Sequence, residues 1–206
     1  MEYKDWEMAD EDDNYIASNP RPLSPGLLND MGRTFVPWFY QMLRNVNASH
    51  LFGPQHFWHD CTIKISQATP NDQQPSFTTT CTDAVEACNF IRQGLSKSNI
   101  LFEPNIYADP RTDLTPSGLV TIEVEGVIHR FGSPIGVFNH IFGLIKDPIA
   151  DESCWKIKCM QMKHKISARD SFANLSDFWP PRSITIFSLL PRKSHRCPPV
   201  WPPTTC

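Results

Sequence analysis

The stretch Gly132–Asp147, GSPIGVFNHIFGLIKD, is apolar on both sides when laid out as a β-strand. Successive strand side chains point to opposite faces. Ile135, Val137, Ile141 and Ile145 therefore share one face, and Phe138, Phe142 and Leu144 the other, with Asn139 and His140 between them. One greasy face is explained by packing on helices; the second needs a cover of its own. The flanking runs read the same way. Upstream, in SGLVTIEVEGVIHR, Val120, Ile122, Val124 and Ile128 alternate with Thr121, Glu123 and Glu125, and Gly126 is expected to mark a bulge or bend. Downstream lies CWKIKCMQMKHK. FGSP and KDPIADES have turn chemistry, so with NILFEPNIYA these runs predict a meander of four strands.

Ahead of the meander the period changes. Leu27, Leu28, Met31, Phe35, Trp38, Phe39 and Met42 recur at helical spacing, which predicts an amphipathic helix with Pro37 inside it and a kink near Arg33, where the proline removes a hydrogen bond. ASHLFGPQ reads as one further turn of helix, and HFWHDCTIKIS as a strand in which Cys61, Ile63 and Ile65 alternate with Thr62 and Lys64. A turn-rich stretch with a short strand at Phe77–Thr80 follows. Thr82 and Asp83 then precede Ala84, Val85, Ala87, Cys88, Ile91 and Leu95, a capped helix ending around Gly94–Lys97. Helices segregated from an antiparallel sheet make an α+β fold.

The 206 residues, 40% hydrophobic and 20% charged, suit one domain with polar extensions. Residues 1–24 are expected to form an acidic disordered arm, with a short linear motif around Trp6, Met8 and Tyr15 as the functional alternative. Residues 25–165 are the expected domain, and 166–206 a proline-rich tail in which PPVWPP is a candidate ligand for an aromatic groove. No apolar run reaches the roughly 20 residues that span a bilayer, and the acidic start lacks the basic end of a secretory leader. Seven cysteines without a CxxC pair suggest reduced thiols rather than a disulfide framework or zinc ribbon. A net charge of −3 leaves no footprint for a dedicated nucleic-acid binder.

Candidate chemistry is sparse. His56, His59 and Cys61 look like metal ligands, yet on a strand only His59 and Cys61 share a face, and no second pair completes a tetrahedron. His59 with Asp60 would suit an acid–base pair if an apolar cavity raised the carboxyl pKa, but adjacent strand residues point apart. Cys154 and Cys159 are likewise expected to face apart. Lys156, Lys158, Lys163, His164 and Lys165 make the end of the last strand basic, either a solvated edge or a contact for an acidic partner. The expectation is therefore no catalytic residue, no metal and no cofactor.

In order and spacing, GRTFVPWFYQML, TDAVEACNFI, GVIHRFGSPIGVFNHIF and CWKIKCMQMKH resemble the nuclear transport factor 2 family, over about residues 27–165. Gly32, Phe35, Val36, Phe39 and Tyr40 match its first helix, Phe138 to Phe142 its F-x-x-x-F strand, and Trp155 to Ile157 the start of its last strand. The resemblance implies a cone-shaped α+β domain, a strongly bent antiparallel sheet wrapped on helices, whose open face forms a dimer. On that basis Asn139, Ile141, Gln161 and Lys163 are the expected partner-binding residues.

The departures point within the family. The acidic residues by which the transport factor holds GDP-bound Ran GTPase have Phe131, Ser133 and CTIKIS in their places, so Ran binding is doubtful. Leu28 stands where members carry a tryptophan near a site for nucleoporin phenylalanine-glycine repeats. FNHIF and WKI are closer to the related export proteins, with Met162 and Lys163 in place of the aromatic-arginine pair of that branch. This implies a non-enzymatic adaptor of the nucleus, cytoplasm and nuclear pore. Its partner would be an RNA export receptor, as a heterodimer, or itself, as a homodimer; nucleoporin repeats are a further partner, and neither direct nucleic-acid nor membrane binding is expected. The competing expectations are a cone-fold isomerase or dehydratase with His59 or Asp60 as base, and a divergent member of the same family serving as a scaffold.

Overall fold

The structure, a computed structural model, describes residues 23–48, 51–68, 75, 77–148 and 154–167. The expectations placed on Trp6, Met8, Tyr15 and the PPVWPP stretch lie outside the described residues.

The first helix, α1 (Pro25–Arg44), starts where Ser24 accepts a hydrogen bond from the Leu27 amide and Pro25 occupies the first turn, a position at which the missing N–H costs nothing. It runs continuously through Pro37 and buries Met31, Phe35, Val36, Phe39, Tyr40 and Leu43. Leu27, counted above as part of the apolar stripe, is instead exposed. The glycine of the G-x-x-F pattern marks a close approach. A Cβ on Gly32 would press on Pro110 and Thr112. The second helix, α2 (Ala84–Ser98), is capped by Asp83, whose carboxylate accepts from the Val85 and Glu86 amides, and ends on Asn99 in the left-handed region.

Among the described residues, seven strands form one sheet: β1 (Phe57–Ala68), β2 (Phe77–Cys81), β3 (Ile100–Pro104), β4 (Arg111–Leu114), β5 (Val120–Arg130), β6 (Ser133–Lys146) and β7 (Trp155–Ile166). Their order is β2-β1-β7-β6-β5-β3, and β4 also pairs with β5. This is the α+β fold, a bent sheet wrapped on two helices. All seams are antiparallel except β1–β7, which is parallel. The sheet is therefore mixed, because the chain enters it at β1 and returns beside that strand only after the whole meander. Phe131 and Gly132, both at positive φ, make the tight turn between β5 and β6, the backbone twist a two-residue hairpin requires.

Two local expectations change. The run NIYA after β3 is a loop, and RTDL, not recognised above, is β4, pairing Arg111 with Glu123 and Leu114 with Val120. Gly126 sits in regular pairing with Phe138; the register shift on β5 falls at Ile128/His129. What Gly126 supplies is room, since a Cβ there would meet the Glu103 carbonyl and the Phe138 ring.

The core lies between the helices and the inner sheet face. Phe35 and Phe39 stack at 5.6 Å, and Phe142 meets both edge-on at 4.9 and 4.7 Å. Such ring pairs add about 0.5–1.5 kcal/mol each beyond their burial.

Candidate functional site

On β6, Phe138, His140, Phe142 and Leu144 are buried against the helices, whereas Val137, Asn139, Ile141 and Ile145 face outward. The register carries this alternation across the neighbouring strands. Asn139 lies directly opposite Lys163 on β7, and Ile141 directly opposite Gln161. The four residues singled out from the sequence thus form one two-by-two patch on the outer face, with Lys163 exposed and the other three half-buried.

Charge is segregated about this patch. On the β5 side, Glu123 pairs with Ile141 and Glu125 with Asn139 across the strands. Asn139 Nδ2 donates to Glu123 at 2.7 Å and to Glu125 at 3.4 Å, and Arg111 on β4 reaches Glu123 at 3.7 Å. On the other side stand Lys163 and Lys165 of β7 and Lys64 of β1, with Lys64 opposite Gln161. The outer face is therefore acidic along β5, neutral along β6 and basic at the Lys163–Lys165 end of β7, with Lys64 of β1 beside it. Val137, 52% exposed, completes it. Sequence reasoning overlooked the two glutamates, although their alternation with Val120, Ile122 and Val124 had already placed them on this face.

His164 is not part of the basic edge. Alternation turns it inward, opposite Phe138 in the ladder, and it is 1% exposed. There it joins a buried polar chain: Tyr40 Oη lies 2.9 Å from His140 Nδ1, and His140 Nε2 lies 3.0 Å from His164 Nε2. The far atom, His164 Nδ1, has no hydrogen-bond partner among the described residues. If Tyr40 donates, His140 passes its own N–H to His164 and leaves a single orphan, the Nδ1–H of His164. The opposite tautomers orphan both the Tyr40 hydroxyl hydrogen and the His164 Nδ1 lone pair. Burial holds both rings neutral, His140 well below the ordinary histidine value and His164 down to about 3, and pushes Tyr40 well above the usual phenol value. Phe102 and Phe138 pack against the two imidazoles, with centroids 4.3 to 5.1 Å away.

The other candidates separate. His59 and Asp60 are both exposed. Asp60 accepts a hydrogen bond from Lys158 Nζ at 2.5 Å, which lowers its carboxyl below the usual range, the reverse of the shift an apolar cavity would give. Cys61 turns into the core, where burial raises its thiol to about 11. It therefore does not share a face with His59, because the pairing of β1 with β7 slips between Phe57 and Thr62. His56 is bonded to the Leu51 carbonyl at 2.9 Å and lies edge-on to Trp38. Among the described residues, no three His, Cys, Asp or Glu side chains gather in a metal-like group.

The class defined so far is an α+β domain with a packed interior and a charge-segregated open sheet face. The chain belongs to the DUF4518 C-terminal domain family, which matches residues 29–175. It is 31% identical over 140 residues to the uncharacterized protein C3orf38 homolog of Rattus norvegicus and 33% identical to that of Mus musculus. Each match takes in 65% of this chain but only 38% of the relative's length. Among solved structures, the yeast Ubp3-associated protein Bre5 aligns at 14% identity and a TM-score of 0.47, over 66% of this chain and 94% of that one. A Nostoc punctiforme domain of unknown function with a cystatin-like fold aligns at 15% and 0.47, over 75% and 88%. Nuclear transport factor 2 of Cryptosporidium parvum aligns at 18% and 0.41, over 69% and 98%.

Proposed function

We propose that this domain is a non-enzymatic adaptor that binds a protein partner through the outer face of its sheet, in nucleocytoplasmic transport. The partner is a second copy or an RNA export receptor, and the setting is the nucleus, cytoplasm and nuclear pore. The observation that carries the reading is the patch of Asn139, Ile141, Gln161 and Lys163 lying between an acidic and a basic flank.

This layout favours one geometry. Two copies facing each other about a twofold axis along β6 place the glutamates of β5 on one copy opposite the lysines of β7 on the other. An axis across the strands would set like charges together. The first arrangement is also the aligned packing that twisted sheets adopt, at about −30°, and it is self-complementary, as a twofold interface must be. A receptor with the same flanking charges satisfies the same rule. Phe131 and Ser133, at the β5–β6 turn where Ran-binding acids would stand, offer no carboxylate.

The adaptor reading is supported by the interior, where rings fill the space around His140 and His164, and by the exposed, lysine-paired state of Asp60. Sedimentation velocity at micromolar concentration tests self-pairing: the wild type should sediment as a dimer and Ile141→Glu as a folded monomer. Ile141→Lys, which can pair with Glu123 across the strands, is the control for a merely local effect. Should the wild type be monomeric, pull-downs from nuclear extract with the two proteins test the receptor. An export receptor held by wild type but not by Ile141→Glu supports it; one held equally by both, or by neither, overturns it.

A further inference from the structure

The two edges of the sheet are protected unequally. At one edge the outward strands are β3 and β4, which carry Glu103, Arg111 and Asp113, and β3 closes on Pro104. Charges and proline are the usual means of keeping an exposed edge from pairing further. At the other edge lies β2, with the sequence FTTTC. It has no charge and no proline and is rich in β-branched threonine. Its pairs with β1 run in unbroken register from Phe77 opposite Gln67 to Cys81 opposite Ile63. Among the described residues, no strand pairs with the far side of β2.

Thr79 and Cys81 are buried, Thr78 is exposed and Thr80 half-buried, so the sheet keeps its inner and outer faces up to this edge. The chain itself carries a segment suited to continue it. Beyond Ser167 the longest stretch free of charge and proline is residues 183–190, SITIFSLL, bounded by Arg182 and Pro191. On a strand, Ile184 and Ile186 fall on one side and Ser183 and Thr185 on the other, the division that β2 shows. Connectivity favours the same edge. β7 ends at Ile166, and its His164 shares a row with Gln67 of β1 and Phe77 of β2. The chain thus leaves the sheet at the end where β2 begins. A strand beyond β2 lies three strand spacings from β7, about 15 Å, whereas the fifteen residues 168–182 span up to about 50 Å when extended.

We infer that residues 183–190 of this same chain dock as an additional strand along the far side of β2. Main-chain hydrogen bonds supply the contact, as strand addition to a sheet edge generally does. The short tether holds the segment at an effective concentration on the order of millimolar, which a second copy at micromolar protein does not reach. Docking also changes the character of the edge: the added segment ends on Pro191, Arg192 and Lys193, the proline and charges that β2 itself lacks. The contact uses backbone groups at the sheet edge, and β1 and β2 separate it from the patch on β6 and β7.

The test is amide hydrogen exchange on the whole chain labelled with ¹⁵N, at two protein concentrations about tenfold apart. In an antiparallel pair only alternate amides of β2 point at β1, so an uncovered edge leaves the others to exchange freely and a covered edge protects them all. Wild type should protect Thr78, Thr79 and Thr80 at both concentrations. Ile184→Pro combined with Ile186→Pro removes two N–H groups from the added strand and should speed exchange of the alternate β2 amides by about tenfold or more. The buried Met160 and Met162 of β7 serve as the reference for an intact core and should be unchanged. Ile184→Val with Ile186→Val, and Ser171→Pro in the tether, should behave as wild type. Ile141→Glu should leave the protection in place whether or not it disrupts pairing through the outer face. Alternate amides unprotected in wild type, or protection that survives the double proline variant, would overturn the inference. Protection that weakens on dilution would overturn it as well, by assigning the added strand to a second copy.

Discussion

The two faces of β6 and β7 come from the same residues in alternation but solve different problems. Inward lie Phe138, His140, Phe142, Met160, Met162 and His164, all at or below 3% exposure; outward lie Val137, Asn139, Ile141, Gln161, Lys163 and Lys165, half-buried or exposed. The inner face is completed by this chain's own helices, so its energetics are those of a close-packed core in which every polar atom needs a partner. The outer face keeps its charges in water and its apolar groups few and central. A surface of that kind costs the monomer little and still offers a partner both contact and orientation.

The contrast predicts unequal responses to substitution. Phe142→Ala removes a ring packed against Phe35 and Phe39 and should cost about 3–5 kcal/mol of stability in denaturant titrations. A cost below about 1 kcal/mol would mean that this face is not the core.

Acid should act on the inner face as well. His140 and His164 have pKa values depressed by burial, so the unfolded chain binds more protons than the folded one between the ordinary histidine value of about 6.5 and the folded value of about 3 for His164. Stability is then unaffected by these two groups above about pH 6.5 and falls as pH drops through that window. His164→Leu should make the acid limb shallower, and an unchanged limb would show that His164 is not buried and neutral.

Tyr40→Phe should be milder. It removes the hydroxyl from His140 Nδ1 and leaves a buried ring nitrogen without its partner, a loss of about 1–3 kcal/mol. The same substitution should raise the exposure of neither helix, so hydrogen exchange in α2 beyond the global change would count against a purely local role.

The smallest effect is expected outside. Ile141→Glu sets a carboxylate opposite Glu123, a like-charge cross-strand pair costing about 0.2–1 kcal/mol, while its thermal transition stays cooperative. A loss as large as that of Phe142→Ala would show that the two faces are energetically alike, and the division drawn between them would fail.

Much of this was legible along the chain, and for a local reason. Strand alternation and helical period are set by backbone geometry, so Phe138 and Phe142 on one side with Asn139 and Ile141 on the other, the Asp83 cap and the turn at Phe131–Gly132 could be read before any fold was known. Cross-strand register is not local. That Asn139 meets Lys163 and Ile141 meets Gln161, that β1 joins β7 in parallel, and that a slip in that pairing parts His59 from Cys61 depend on which distant segments share a ladder. His164 shows the limit most plainly. In KHK it reads as one more cation, and only the packing of Phe102 and His140 around it makes it a neutral core residue.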